Sequence, residues 1–138
     1  MQVVIGGAYN GKRKFVKEVL LKNISGNQHF FEGELPAKGI FSKEDFLIIG
    51  NFEKIMLQKV HLDEDVISEI IFEEIAQLNQ QARLICVCTD IGRGVVPLLK
   101  EERKIRDACG RLYQKLFAES ESVVRIWYGI PEVLKSEG

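Results

Sequence analysis

The chain of 138 residues carries almost no net charge, a formal −1 from 19 basic and 20 acidic side chains. That balance argues against a nucleic-acid or membrane surface as the main partner, since both recruit proteins through an excess of lysine and arginine. No apolar run approaches the length needed to span a bilayer, and the longest are about strand length. The N-terminus lacks a basic region followed by an apolar stretch, so no secretory signal is expected and the chain reads as cytoplasmic. Cysteine is scarce, with three in all, an odd count. Cys86 and Cys88, in Leu84-Ile85-Cys86-Val87-Cys88, are placed on opposite faces of a strand. They read as buried thiols of a reducing compartment rather than as a zinc site or a disulfide. Cys109 falls in a helical stretch as a packing residue, and no metal-ligating cluster is identified. Internal repeats and low-complexity tracts are lacking as well.

What remains is an ordinary globular composition, 46% apolar and 28% charged, sufficient for the core of one domain. Strand-like runs occur at 2–5, 46–49, 84–88 and 123–128. They are near-continuously apolar rather than alternating, as in a parallel sheet covered on both faces. Helical patterns lie at 12–21, 64–81 and 98–118. In 64–81, Ile67, Ile70, Ile71, Ile75 and Leu78 share a side, and Asp63 is placed at the N-cap. This helix reads as a solvated amphipathic one rather than a binding device. Alternating strands and helices predict an α/β fold, a three-layer domain with a mostly parallel sheet and right-handed crossovers. Residues 22–44 are the least regular part, a long loop with a short strand at 28–32. Lys135 to Gly138 read as a frayed end.

After Val3-Val4-Ile5 comes Gly6-Gly7-Ala8-Tyr9-Asn10-Gly11-Lys12-Arg13. The phosphate-loop pattern G-x-x-x-x-G-K-[ST] is met at Gly6, Gly11 and Lys12 and fails at its last position. Each part has a physical role: glycines let backbone N–H groups converge on an anion, lysine reaches the β- and γ-phosphates, and the hydroxyl holds Mg²⁺. A guanidinium has donors only, so Arg13 cannot ligate a cation. The loop, residues 6–13, is the candidate nucleotide-binding segment, with Lys12 as phosphate clamp. Lys12, Arg13, Lys14 and Lys17 also crowd positive charge at a helix start, where it opposes the macrodipole. A bound anion would account for them. The alternative is a vestigial strand-to-helix turn that keeps glycine for its backbone.

A second stretch, Cys88-Thr89-Asp90-Ile91-Gly92-Arg93-Gly94-Val95-Val96-Pro97, leads into Arg106-Asp107-Ala108-Cys109-Gly110-Arg111-Leu112-Tyr113-Gln114. It resembles a strand and turn N-E-V-G-x-G-I-V-P followed by a helix with R-D-x-x-G-x-x-N-Q. Gly129-Ile130-Pro131 resembles a G-I-P near the C-terminus. The motif residues are Gly92, Gly94, Pro97, Arg106, Asp107, Gly110 and Gln114. With the phosphate loop, these resemble the adenosylcobinamide kinase / adenosylcobinamide-phosphate guanylyltransferase family of cobalamin biosynthesis. The resemblance covers the first 20 or so residues and most of 84–135. It implies a phosphate-loop fold, usually a homotrimer, with ATP or GTP as cofactor and cobinamide as a partner. The implied activity is two steps: phosphorylation of adenosylcobinamide, then transfer of GMP from GTP through a guanylylated histidine.

The chain departs from that pattern. Arg13 replaces the Mg²⁺-binding hydroxyl, and Phe46-Leu47-Ile48-Ile49 runs into Gly50 where the family has an acid. Both changes put a Mg²⁺ requirement in question. The segment with the guanylyl-accepting histidine has no counterpart; the region's only histidine, His29, is not given that role. Asp90 is either the acid that orients a metal-bound water or substrate hydroxyl, or a turn residue accepting backbone N–H bonds. Arg106 and Asp107 are either subunit or nucleotide contacts or a charged helix face. His61 reads as a surface or capping residue, and Trp127 and Tyr128 as core or interface. The expectation is a divergent relative that binds nucleotide, has lost guanylyl transfer and has an impaired kinase step. Its rivals are a non-catalytic nucleotide-binding or assembly partner, a structural paralog with an empty loop, and a phosphotransferase for another substrate.

Overall fold

The computed structural model describes residues 1–7, 11–90 and 99–137. Six strands form one sheet: β1 (Gln2–Gly6), β2 (Gln28–Glu32), β3 (Phe46–Gly50), β4 (Arg83–Thr89), β5 (Ser122–Trp127) and β6 (Ile130–Ser136). Their order is β2-β3-β4-β1-β5-β6, with the first five parallel and β6 antiparallel to β5. The inner parallel strands bury apolar side chains on both faces, and β3 is buried along its whole length, whereas the edge strand β2 leaves one face exposed.

Three helices cover one face: α2 (Phe52–Leu57), α3 (Glu64–Gln81) and α4 (Lys100–Glu119). Ile67, Ile71, Ile75 and Leu78 of α3 and Ile105, Leu112 and Leu116 of α4 pack with Val3, Leu47, Ile49 and Leu84. The 3.6-residue period alone puts these positions on one side of each helix. The other face carries a thinner layer. A single helical turn, α1 (Lys12–Phe15), widens over Val16–Leu20 into π-helical bonding, with the Leu21 N–H donating to the Val16 carbonyl at 2.9 Å. Val16 and Leu21 close on Val4, Ile48, Ile85, Val87 and Ile126. The result is the expected three-layer α/β domain. Among the described residues no helix is long and apolar enough to cross a membrane.

Several expectations need correction. Cys86 and Cys88 share one face, both in the core beneath the helices, because residues two apart in a strand point the same way. The expected helix over 12–21 is a short α turn followed by the π-helical stretch. Asp63 sits at the N-cap of α3, but its side chain makes no capping bond. Lys135 and Ser136 are not frayed: they pair with Val123 and Ser122, and Lys135 Nζ donates to the Phe117 and Ala118 carbonyls at the end of α4. Trp127 and Tyr128 are not core, at 46% and 78% exposed. Tyr128 (φ 49°) and Gly129 (φ 78°) form the left-handed two-residue turn that reverses β5 into β6.

Candidate functional site

Strand β1 ends at Gly6, which pairs with Ile126 on one side and Thr89 on the other. A Cβ on Gly6 would lie 2.5 Å from the Ile126 carbonyl oxygen, so the sheet closes there only around a glycine. The chain returns at Gly11, whose φ of +84° is left-handed, and enters α1 directly. Ala8, Tyr9 and Asn10 of the expected loop, and Gly92, Gly94 and Pro97 of the second motif, lie outside the described residues.

Lys12 is only 6% exposed. Its Nζ donates to the Gly6 carbonyl at 3.1 Å and the Gly7 carbonyl at 2.7 Å. Burial lowers its pKa below the ordinary lysine value, and the neighbouring charge of Arg13 lowers it further. The charge of Asp90 acts on it in the opposite direction. Asp90 thus stands within electrostatic reach of Lys12, and its N–H donates to the same Gly6 carbonyl at 2.8 Å. The fold therefore brings both candidate catalytic residues to the carboxyl ends of adjacent strands, where open parallel sheets place their ligands.

A cavity of about 120 Å³ opens beside them, lined in part by Gly6, Gly7, Asp90, Arg125 and Trp127. Arg125 was not singled out from the sequence, although a charge inside Val123-Val124-Arg125-Ile126 was a signal. Its guanidinium carbon lies 4.7 Å from the centre of the Trp127 ring. Tyr113, on α4, donates its hydroxyl to the Thr89 carbonyl at 3.1 Å and so ties that helix to the residue before Asp90.

Arg13 is exposed and meets Glu32, the last residue of β2, with Nε donating to Oε1 at 2.7 Å and Nη2 to Oε2. Glu32 pairs in register with Gly50. Among the described residues, positions 13, 32 and 50 do not offer ligands to a divalent cation. Position 13 offers only donors, Gly50 offers no side chain, and the nearby carboxylate is forked onto a guanidinium. Among the described residues no group of three or more histidine, cysteine or acidic side chains is placed to hold a metal.

The remaining candidates lie elsewhere. Asp107, Gly110 and Gln114 are exposed on α4, and Arg106 is half-buried there. His61 is exposed in the turn after α2. His29 faces Asp45 at 3.8 Å and lines a separate cavity of about 580 Å³ with Asn27, Phe31 and Phe41. That cavity opens where β2 and β3 begin, at the end of the sheet opposite the phosphate loop.

A family model described as cobinamide kinase / cobinamide phosphate guanyltransferase matches residues 47–134. The matched stretch includes Asp90, α4 and the β5–β6 hairpin, and begins after the phosphate loop and Glu32. No curated protein matches the chain.

Proposed function

This chain belongs to the cobinamide kinase / cobinamide phosphate guanyltransferase family, and on that premise we propose that it binds the phosphates of ATP or GTP through residues 6–13. Members of the family act in cobalamin biosynthesis on nucleotide and cobinamide substrates. Guanylyl transfer is absent from the activity proposed for this chain, because His29, the only histidine ahead of β3, lies at the wrong end of the sheet. The kinase step is proposed to be weak. Phosphoryl transfer relies on positioning and on metal-assisted neutralisation of charge, and the metal-organising side chains are replaced here.

The observation that carries the nucleotide reading is Lys12. A buried ammonium is costly unless well paired, yet its two hydrogen bonds go to the carbonyls of Gly6 and Gly7. A phosphate in the loop would supply the opposing charge, and Gly6 and Gly11 leave the backbone uncovered for it. A second reading, a nucleotide-binding partner without catalysis, is favoured by Arg13 at the metal-ligand position.

Calorimetric titration of GTP and ATP into wild type and Lys12→Ala tests the reading, in Mg²⁺ and separately in EDTA. Binding in either condition that weakens at least roughly tenfold in Lys12→Ala supports it. Absence of binding at millimolar nucleotide in both conditions overturns it. Phosphorylation of cobinamide by the wild type would then separate a weak enzyme from a binding partner.

A further inference from the structure

The reading of residues 6–13 as a polyphosphate site leads one step further. We propose that the Arg13–Glu32 pair stands in place of a divalent cation and its carboxylate ligand, so that the loop takes nucleotide phosphates without a metal.

In phosphate-loop proteins the hydroxyl after the lysine, and a carboxylate on a neighbouring strand, hold Mg²⁺ against the β- and γ-phosphates. Here Gly50 closes β3 with no side chain, and a carboxylate reaches in from the next strand out. Both Glu32 oxygens lie 3.3 Å from where a Cβ of residue 50 would stand. The opposite partner is changed as well, since the residue after Lys12 is Arg13. The two departures meet in one contact, with both Glu32 oxygens accepting from the guanidinium fork. A carboxylate alone would draw a cation, and an arginine alone would repel one. Together they carry no net charge: the carboxylate is taken up by the guanidinium, so it draws no cation, and the guanidinium is held in place as a donor.

Among the described residues, the fork to Glu32 uses two of the five N–H groups of Arg13, and the remaining Nη hydrogens can donate to phosphate oxygens. Arginine suits this task because its planar donors match a phosphate and its charge persists at any working pH. Stability is not the reason for the pair, since its side chains are 57% and 47% exposed and such surface pairs contribute little. Glu32 is a positioning residue, and Arg13 is the group that meets the ligand.

The test is GTP affinity in millimolar Mg²⁺ and in EDTA for wild type, Arg13→Thr, and Arg13→Thr/Glu32→Gln. Thermal melts confirm that each is folded. The expected wild-type affinities agree within about twofold in the two conditions. Arg13→Thr is expected to lose roughly tenfold or more in EDTA and to regain it in Mg²⁺, since a hydroxyl and a freed carboxylate then face the loop. The double variant is expected to stay weak in both.

The proposal is overturned if wild-type binding needs Mg²⁺, or if Arg13→Thr binds as wild type does in EDTA. It is overturned equally if the double variant recovers with Mg²⁺ as the single one does. Each of these outcomes leaves nucleotide binding at Lys12 standing; only a wild type that binds no GTP in either condition removes both.

Discussion

Lys12 donates to the carbonyl of Gly7 at 2.7 Å, so the one buried lysine of the loop is turned onto the backbone of its own turn. On the proposed nucleotide reading, a phosphate must draw that ammonium away from two carbonyls, and must find it protonated. Because burial lowers the pKa of Lys12, it loses its proton at a lower pH than an exposed lysine does. Nucleotide affinity is therefore expected to fall as pH rises through that lowered value, before the ordinary lysine range near 10.5 is reached. In Lys12→Arg the charge persists, and the fall should disappear. Affinity measured from pH 7 to 10 on both proteins decides it. An identical decline in Lys12→Arg would show that another group titrates.

The three thiols should be silent in the folded protein. Cys86 and Cys109 are pushed up from about 9 to about 12 by burial, and Cys88 well above its usual value. A thiol-reactive chromophore at pH 8 is expected to label none of them in native protein and three per chain in denaturant. The same shifts bear on stability. An unfolded thiol ionises near 9 while folded Cys86 holds its proton to about 12, so the stability that these groups contribute is full below pH 9. It is lost as pH rises toward 12. Urea midpoints are expected to fall from pH 8.5 to 10.5, and to fall further in Lys12→Ala, which lacks the opposing contribution of Lys12; level midpoints in both would overturn this.

Gly6→Ala and Gly110→Ala should have opposite signs. The first pushes a Cβ to 2.5 Å from the Ile126 carbonyl and forces β1 from β5, an overpacking cost of about 1–3 kcal/mol. The second meets nothing within 4 Å on an exposed helix position and should gain about 0.5–1 kcal/mol. Urea denaturation of the two variants reads both. A neutral Gly6→Ala would mean that the strands separate there at no cost.

Trp127 is the single tryptophan and lines the cavity with Gly6, Gly7 and Asp90. Its emission is expected to change on titration with GTP in wild type and to stay constant in Lys12→Ala. Calorimetric binding with unchanged emission would place the ligand away from that cavity.

The main elements were legible because their apolar periods are local. The run 84–88 reads as a buried strand and 64–81 as an amphipathic helix, and both form as read. The elements that escaped have weak local signals. Helix α2 is only six residues long, too short for a period to show. Strand β6 carries Pro131 and exposed side chains, and its extended form comes from pairing with β5 through the Tyr128–Gly129 turn. The site divided the same way. Lys12 and Gly11 were visible as a motif. Arg125 was a visible anomaly without a neighbour, until the sheet set Trp127 and Asp90 around it.

By itself the sequence determined the α/β class, the position of the candidate phosphate loop, and the arginine at position 13 where the pattern has a hydroxyl. These follow from side-chain type and from spacings of a few residues. Tertiary structure alone decided that Glu32 answers Arg13, that it does so over the bare end of β3 at Gly50, and that Gly6 is required by the carbonyl of Ile126. Those relationships depend on which strands lie side by side. Strand order is set by hydrogen bonds and core packing between segments far apart in the chain, which no local pattern encodes.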